Sequence, residues 1–468
     1  GAGRPREPLP RGPPARLHYL DWLRLLMVAG VVYAHAAKSG IAGGGGFSEA
    51  WLVDDRTLFD HRTYASLYTH MSEESGYEGP VSGQCVPTQQ TPARRPPRTV
   101  GRSPLAVRWI SICRQWCLPL LFWVSGAAVA CSYRGGAPRG LPKLAGFTAL
   151  GMAFNAGLWF LGPLDDSCFV GNPDCAGKGL AFSFTIVPWA GAAFAILFQM
   201  WYTAVLMAFS LLNWPLFAAA YGSAGGPWPL ALQWLLDVAL YAGLALAAGA
   251  GCPSPGLVVG WLAGLEALFL CLVALVSPGH AHRRPAWLPV RGVHYLLAAV
   301  ALLQFGATPF AERMTSIGFA YVAYLVTGFN RFFGLGFLMT SARLAPGGDA
   351  AEPLLSRVWP LAIVLFTFLA PSTNWDLAGM LTYPFFLEVS DRCLYAGGAW
   401  ALAFLLDRCS RGLECCALPG VLAQASLVLY LSHPVLITAC LQLGLRAVPQ
   451  VWLACVAAAL ALAAALRR

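Results

Sequence analysis

Charged residues are scarce in this chain of 468 residues: Asp, Glu, Lys and Arg make up only 11% of it, whereas hydrophobic residues make up 57%. A soluble globular protein carries about 25% charged residues. Too few charges remain here to cover a surface that faces water. The composition therefore excludes a soluble globular domain and predicts a polytopic integral membrane protein.

Lysine is almost absent, with Lys38, Lys143 and Lys178 as the only three, so most of the positive charge behind the net +9 comes from arginine. Basic residues retained on the cytosolic side of a membrane produce such an excess, and no nucleic-acid partner is predicted. The 14 cysteines include no C-x-x-C pair, and no metal site is predicted. Cys168 and Cys175 share an acidic loop, where a disulfide and two free thiols both fit the sequence.

Long apolar runs dominate the chain. A helix needs about 20 mostly apolar residues to cross about 30 Å of hydrocarbon, so these runs predict an all-α bundle of about 10–12 transmembrane helices. The lower number of helices applies if the two short runs, 358–371 and 392–406, do not span the membrane. The twelve candidate spans are 19–37, 109–131, 144–162, 189–213, 228–250, 256–276, 288–305, 317–341, 358–371, 392–406, 418–441 and 449–466.

Arginine positions orient the bundle. The tail 1–16 holds four arginines, and five later basic clusters fall on the same side when the spans are counted in order. Because cytosolic loops retain basic residues, this parity predicts a cytosolic amino-terminal tail followed by one membrane domain over 17–468. The loop 38–108 places arginines on the opposite side. Its four glycines at 43–46 and its Pro/Arg-rich stretch at 92–98 predict a disordered insertion.

The first predicted helix carries Asp21, Arg24 and His35. At 100° per residue, His35 lies within about 20° of Arg24 and about 40° of Asp21 around the helix. An ionisable residue at mid-bilayer costs about 2.5–3.5 kcal/mol, so this stripe predicts a functional site that faces the bundle interior. A simpler interpretation is that Asp21 and Arg24 pair at the membrane edge while His35 snorkels to the surface.

Two later spans also carry polar residues. His433 precedes Pro434, which should bend its helix, so His433 is either a site residue or a side chain that satisfies carbonyl groups freed by the bend. Ser125 precedes Gly126, which permits close approach of another helix. Ser125 therefore fits either a packing hydroxyl or a site residue.

A further polar group, Gln199, Trp201 and Tyr202, interrupts an apolar run. Tryptophan and tyrosine are common at membrane interfaces, so this group fits either an interface anchor or a site. Asp237 and Glu266 are lone acids in apolar spans. Each needs a partner within the bundle, but the sequence does not identify that partner.

Four of these segments, in order along the chain, resemble the acyltransferase family 3 membrane proteins. That family's first helix has a basic residue, ten intervening residues and a histidine, as Arg24 and His35 do. Pro-Leu-Leu-Phe-Trp-Val-Ser-Gly at 119–126 resembles the family's second helix. Gln-Met-Trp-Tyr at 199–202 resembles its His-x-Trp-aromatic segment, with glutamine in place of histidine. Tyr430–Pro434 is similar to the Tyr-x-x-His-Pro element of the branch that includes the glucan-modifying membrane protein.

The resemblance implies a membrane-bound acyltransferase. It would move an acyl group of the acetyl or succinyl class from acyl-CoA to a hydroxyl of a carbohydrate or lipid acceptor, without a permanently bound cofactor. His35 and His433 would be the catalytic residues, and whether His35 acts as a base or as a covalent nucleophile stays open. The substrate-binding residues would be Asp21, Arg24, Ser125, Gln199, Trp201 and Tyr202.

The competing interpretation is a proton-coupled transporter or flippase in which Asp21, Arg24 and His35 line a path across the membrane. Many transporters contain two halves with matching broken helices, and the two halves of this sequence show no such match. Hydrolysis or transfer of acyl-CoA by the purified protein would separate the two interpretations.

Overall fold

The computed structural model describes residues 17–42, 104–133, 140–160, 201–221, 227–246, 255–277, 290–306, 317–344, 419–443 and 448–465, together with residues 285, 288, 401 and 445. All regular structure in these residues is α-helical, which confirms the predicted all-α class. The helices are α1 (His18–Ala42), α2 (Pro104–Ser132), α3 (Leu141–Phe160), α4 (Trp201–Leu212), α5 (Trp214–Tyr221), α6 (Trp228–Leu246), α7 (Pro255–Val276), α8 (Val290–Gly306), α9 (Ile317–Leu344), α10 (Gly420–Gln442) and α11 (Val448–Ala465).

Ten of the twelve predicted spans overlap these helices. The candidates 358–371 and 392–406 lie outside the described residues apart from residue 401, as do the tail 1–16 and the loop that contains the two acidic-loop cysteines. At each end of the predicted insertion 38–108, α1 and α2 continue five residues further than expected. A helix ends where its backbone hydrogen bonds stop closing, which need not coincide with the end of an apolar run.

Large apolar side chains cover the outside of the bundle, among them Leu150, Leu211, Trp228, Leu246 and Leu257. The charged side chains of Asp237, Glu266 and Arg331 are instead buried. A surface that faces water shows the reverse arrangement, whereas lipid favours an apolar exterior and forces polar groups inward.

Two of the helices named above, α6 and α7, are each long and apolar enough to cross a membrane, and α4 with α5 adds a third among the described residues if that bent pair forms one span. Shorter apolar helical stretches lie within α2, α8, α10 and α11. Together with the apolar exterior, these helices make the chain an α-helical membrane protein.

The predicted span 189–213 contains α4, and a further helix, α5, follows directly after residue 213. The two helices meet at an angle of 53°. Pro215 has no N–H group, and its ring displaces the carbonyl four residues earlier, so a straight helix cannot pass through this point. Asn213 follows the end of α4, and its side-chain amide and its backbone N–H both donate to the Phe209 carbonyl, at 2.8 and 2.9 Å, respectively. The result is a bent segment that carries a buried asparagine at the corner.

The helices pack in a continuous series. Helix α1 lies against α2, α10 and α11, and α2 packs against α9. From α9 the series continues through α8 and α7 to α6. The bent pair α4–α5 contacts α6, α7 and α9. This order leaves one group of helices around α1 and a second group around α7.

Helices α2 and α9 cross at two glycines. A Cβ atom on Gly126 would collide with the Phe333 carbonyl oxygen, and a Cβ atom on Gly336 would collide with the Trp123 carbonyl oxygen. Only glycine allows two backbones to approach this closely. Trp123 is 1% exposed, so the crossing lies in the centre of the core.

Gly126→Ala is expected to lower the free energy of unfolding by about 1–3 kcal/mol, because the added methyl group must push the two backbones apart. Gly243→Ala on α6 is the matched control, since nothing lies within 4 Å of a Cβ atom at that position. Thermal unfolding of the purified protein in detergent should show a lower midpoint for Gly126→Ala and none of that loss for Gly243→Ala. Equal midpoints for the two variants would contradict the proposed crossing.

Candidate functional site

The polar end of α1 presents a partly exposed ion pair. Arg24 Nη1 lies 3.9 Å from Asp21 Oδ1, and the two side chains are 37% and 15% exposed, respectively. An exposed pair at this distance contributes at most about 1 kcal/mol to stability. The Arg24 guanidinium also lies close enough to the Tyr202 hydroxyl to interact with it electrostatically. Arg24 is therefore a partly exposed cation within electrostatic range of Tyr202 rather than the buried half of a strong pair.

Ser125 and Tyr202 form a hydrogen-bonded relay between α2 and α4. The Tyr202 hydroxyl donates to the Leu121 carbonyl oxygen at 3.0 Å, and Ser125 Oγ lies 2.8 Å from the same hydroxyl. Since a tyrosine hydroxyl has one proton to donate, Ser125 is the donor in the second bond. The sequence left a packing role and a site role open for Ser125. In the structure the Ser125 hydroxyl holds the Tyr202 phenol of α4 through this hydrogen bond.

His433 is 3% exposed and makes a bond within its own helix. Its Nδ1 lies 2.7 Å from the Tyr430 carbonyl oxygen. Pro434 cannot supply the N–H group that this carbonyl would receive in an unbroken helix. A carbonyl accepts only, so Nδ1 carries the proton and Nε2 keeps its lone pair. The structure therefore places His433 as a cap on a freed carbonyl, and the same bond leaves the ring in a tautomer that can accept a proton.

Tyr430 joins His433 to Tyr202. The Tyr430 and Tyr202 rings are 5.4 Å apart in an edge-to-face arrangement, and the Tyr430 and His433 rings are 6.1 Å apart. Four helices thus bring predicted site residues together: Arg24 from α1, Ser125 from α2, Tyr202 from α4 and His433 from α10. This group, with Tyr430, is called the tyrosine cluster below.

For the other predicted site residues, the structure does not describe the side chain. The backbone of His35 belongs to α1, eleven residues or about 16 Å beyond Arg24 along the axis. The side chains of His35 and Trp201 lie outside the described residues, and Gln199 lies outside them entirely. Among the residues that the structure places, no three His, Cys, Asp or Glu side chains lie together as a metal site requires.

A second polar group lies in the core around α7. Arg331 Nη2 is 2.7 Å from Asp237 Oδ2 and 2.7 Å from Glu266 Oε2, and all three side chains are at most 1% exposed. Asp237 and Glu266 are the acids that stand alone in their apolar spans, and their shared partner is an arginine on α9. This group is called the ionic cluster below.

Glutamines and an aromatic ring complete the ionic cluster. Gln233 Nε2 donates to Asp237 Oδ2 at 2.8 Å, and Gln304 Nε2 donates to Glu266 Oε2 at 3.0 Å. The Arg331 guanidinium lies 5.0 Å from the centroid of the Phe269 ring. Charge-assisted hydrogen bonds and the ring face lower the cost of burying these charges.

Sequence reasoning missed Arg331, although a signal was available. The apolar run 317–341 predicts a span by its length, and Arg331 lies inside that run. Two unpaired acids in neighbouring spans require a buried cation, because an isolated charge in lipid is too costly. Among the spans, a central arginine was the natural candidate.

An aromatic layer separates the two polar groups. The Phe122 ring lies 5.0 Å from the Tyr202 ring and 5.0 Å from the Phe329 ring. Phe329 directly precedes Asn330 and Arg331 in the chain. The tyrosine cluster and the ionic cluster are therefore two distinct polar sites within one bundle.

Comparison with known proteins finds no matching family model, no similar curated protein and no similar solved structure. The resemblance to the acyltransferase family 3 membrane proteins accordingly stays a prediction that rests on the four sequence motifs.

Proposed function

We propose that the protein is a multi-pass membrane acyltransferase with a cytosolic amino terminus. It transfers an acyl group of the acetyl or succinyl class from acyl-CoA to a hydroxyl of a carbohydrate or lipid acceptor. The observation that carries the proposal is the tyrosine cluster, where residues from four motifs far apart in sequence meet. Packing alone does not require those four segments to share one polar location.

The chemistry needs few protein groups, because a thioester is already activated. The acceptor oxygen attacks the thioester carbonyl, a C–O bond forms, and the C–S bond breaks. The acceptor proton passes to a base and finally to the leaving thiolate. In the proposal His35 is that base or takes the acyl group itself, as the histidine of the first-helix motif.

Arg24 fits the donor end of the site. Its guanidinium is 37% exposed and bound only loosely to Asp21, so it remains accessible to the phosphates of coenzyme A. A guanidinium binds phosphate through paired N–H groups, and Asp21 would orient it. Ser125 and Tyr202 would form the wall beside this end, and Gln199 and Trp201 would contribute to substrate binding through their neighbouring motif.

The test of the proposal is transfer itself. Purified protein in detergent is incubated with radiolabelled acetyl-CoA or succinyl-CoA, and free coenzyme A and labelled acceptor are measured against a His35→Ala variant. Release of coenzyme A that requires His35 supports the enzyme. Intact acyl-CoA in the presence of a membrane extract that supplies lipid and carbohydrate hydroxyls would contradict it.

His433→Asn should separate capping from catalysis. An asparagine amide can still donate to the Tyr430 carbonyl, but it cannot accept a proton as a base. If His433 takes part in transfer, the rate falls by at least about tenfold, or about 1.4 kcal/mol of barrier, while the thermal midpoint is retained. His433→Ala should lose stability as well, because it leaves a buried carbonyl without its donor.

The measurement is the rate of acyl transfer beside the unfolding midpoint for both variants. A rate for His433→Asn within about twofold of the native rate, under about 0.5 kcal/mol of barrier, would leave His433 with the capping role alone.

One observation favours a proton-coupled transporter as a second candidate. The bent pair α4–α5 lies beside the buried ionic cluster, since the Leu216 backbone N–H on α5 lies 3.3 Å from Gln233 Oε1. Broken helices next to buried charges are common where transporters bind coupling ions. Protein in vesicles that moves a substrate under a pH gradient without consuming acyl-CoA would favour this candidate.

A further inference from the structure

The ionic cluster contains more negative than positive charge. Asp237 and Glu266 supply two carboxylates, and Arg331 supplies one guanidinium, so the full ionised cluster carries one uncompensated negative charge. Of the residues that the structure describes, the other titratable group that faces the cluster is the Tyr241 hydroxyl on α6, which interacts electrostatically with all three. Among the described residues, α8 contributes the neutral Gln304 and α5 a backbone N–H. An uncompensated charge in the core of a membrane bundle is strongly unfavourable.

The two carboxylates are not equivalent. Asp237 Oδ2 accepts from Arg331 and from Gln233, and Gln233 in turn accepts from the Leu216 N–H in the first turn of α5. The amino-terminal end of a helix favours negative charge nearby, so this chain of bonds stabilises ionised Asp237. Glu266 likewise accepts from the shared Arg331 and from one neutral glutamine, Gln304, but Gln304 Oε1 has no donor among the described residues. The excess negative charge therefore belongs to Glu266.

Polar atoms of the cluster remain without hydrogen-bond partners. Glu266 Oε1, Gln304 Oε1 and Asp237 Oδ1 are buried acceptors that receive no hydrogen bond from any described residue. Within the same part of the chain, Arg331 Nε and Nη1 are likewise buried without a hydrogen-bond acceptor. Buried acceptors normally receive a hydrogen bond. A carboxyl that gains a proton changes from an acceptor into a donor, so it can bond to one of these acceptors, and the same proton removes the surplus charge.

We propose that the ionic cluster is a proton-binding site in which Glu266 carries the proton. Binding forms an O–H bond on a Glu266 carboxylate oxygen with a proton taken from water, and the cluster charge changes from −1 to zero. Asp237 remains the counter-ion of Arg331. Acyl transfer consumes no net proton, so this site adds to the proposed function and does not depend on it.

The ionic cluster joins several helices, so gain or loss of its proton would change the contacts between them. Glu266, Asp237 and Arg331 belong to α7, α6 and α9, and Gln233 links them to the bent pair α4–α5. At the bend, Asn213 donates to Asn330 at 2.6 Å, next to Arg331 in the chain. Loss of the proton would strengthen the hydrogen bond that Glu266 accepts from Gln304 and would restore the repulsion between Glu266 and Asp237, beside the bent pair α4–α5.

Infrared difference spectroscopy of the full-length protein in lipid tests the proposal, because a protonated carboxyl group has a carbonyl stretch separate from that of a carboxylate. The native protein at neutral pH should show a protonated-carboxyl band that shifts in heavy water and disappears as the pH is raised. Glu266→Gln should lose the band. Asp21→Asn, which removes a carboxyl group outside the cluster, should retain it.

Asp237→Asn provides an independent variant. Removing one carboxylate leaves one acid for one arginine, so Glu266 should then be ionised and the band should also disappear. Absence of the band in the native protein at neutral pH overturns the proposal without any variant. Persistence of the band in Glu266→Gln overturns the assignment to Glu266. A thermal midpoint that depends on sodium, measured against choline, in a native protein without the band would identify a metal cation instead.

Discussion

Arg331→Met is expected to leave little or no folded protein, because it removes the single cation shared by two buried carboxylates. Breaking a buried ion pair by deleting one partner costs about 3–5 kcal/mol, and here both Asp237 and Glu266 lose their strongest donor. Methionine approximates the length of the arginine stem and can still pack against Phe269. A loss of folded protein in this variant therefore results from the unpaired charges rather than from a cavity.

Neutralising the whole cluster should reverse that effect. The triple variant Arg331→Met, Asp237→Asn, Glu266→Gln contains no buried charge, and replacing a complete buried ionic group by neutral residues is often neutral or stabilising. Recovery of a monodisperse peak in size-exclusion chromatography and of the thermal midpoint is the expected measurement. An Arg331→Met single variant that folds like the native protein would show that the acids have another partner.

Apolar runs predicted most of the helices because a membrane span needs continuous hydrocarbon and little else. They did not predict the bend between α4 and α5, which lies at Asn213 and Pro215 at the end of an apolar run. Hydropathy depends on residue type and carries no information about the angle between two helices. They also did not predict the helical residues at the two ends of the insertion 38–108. Hydropathy measures the cost of contact with lipid, whereas helix ends depend on backbone hydrogen bonds.

The tyrosine cluster was predictable as a set of residues but not as a set of contacts. Helical periodicity placed Arg24 on an inward stripe, and motif order suggested Ser125, Tyr202 and His433. Periodicity gives the face of a helix and not the neighbour that covers it. The Ser125–Tyr202 bond joins residues 77 positions apart, and its formation depends on how α2 meets α4. For the same reason the acids of α6 and α7 could not be assigned to Arg331 from pattern alone.

Arg24 and His35 are expected to act at opposite ends of one acyl-donor path, so their variants should fail in different ways. Their Cα atoms are about 16 Å apart along α1, which is of the order of an extended pantetheine arm. His35→Ala should lower the transfer rate by about 10²–10⁴-fold, as removal of a general base does, while donor binding persists. Arg24→Ala should chiefly raise the half-saturating concentration of acyl-CoA.

The size of the Arg24 effect follows from its surroundings. The guanidinium is 37% exposed and loosely paired, so its contact with a phosphate would form without breaking a strong existing bond. Loss of a charge-assisted hydrogen bond costs about 1.5–3 kcal/mol, or about tenfold to a hundredfold in binding. Arg24→Lys keeps the charge without the paired geometry and should fall between the native protein and Arg24→Ala.

Leu26→Ala is the matched control on the same helix, because Leu26 is 58% exposed on the outside of α1. It should leave both the transfer rate and the half-saturating concentration within about twofold, since a change of about 0.5 kcal/mol is the limit for a residue that takes no part. Kinetics of acyl-CoA consumption, with donor binding measured separately by titration, distinguish the two roles. Loss of donor affinity in His35→Ala together with loss of turnover alone in Arg24→Ala would reverse the assignment. Full transfer in both variants would remove α1 from the mechanism, because its Asp21–Arg24–His35 stripe would then be unnecessary for the chemistry.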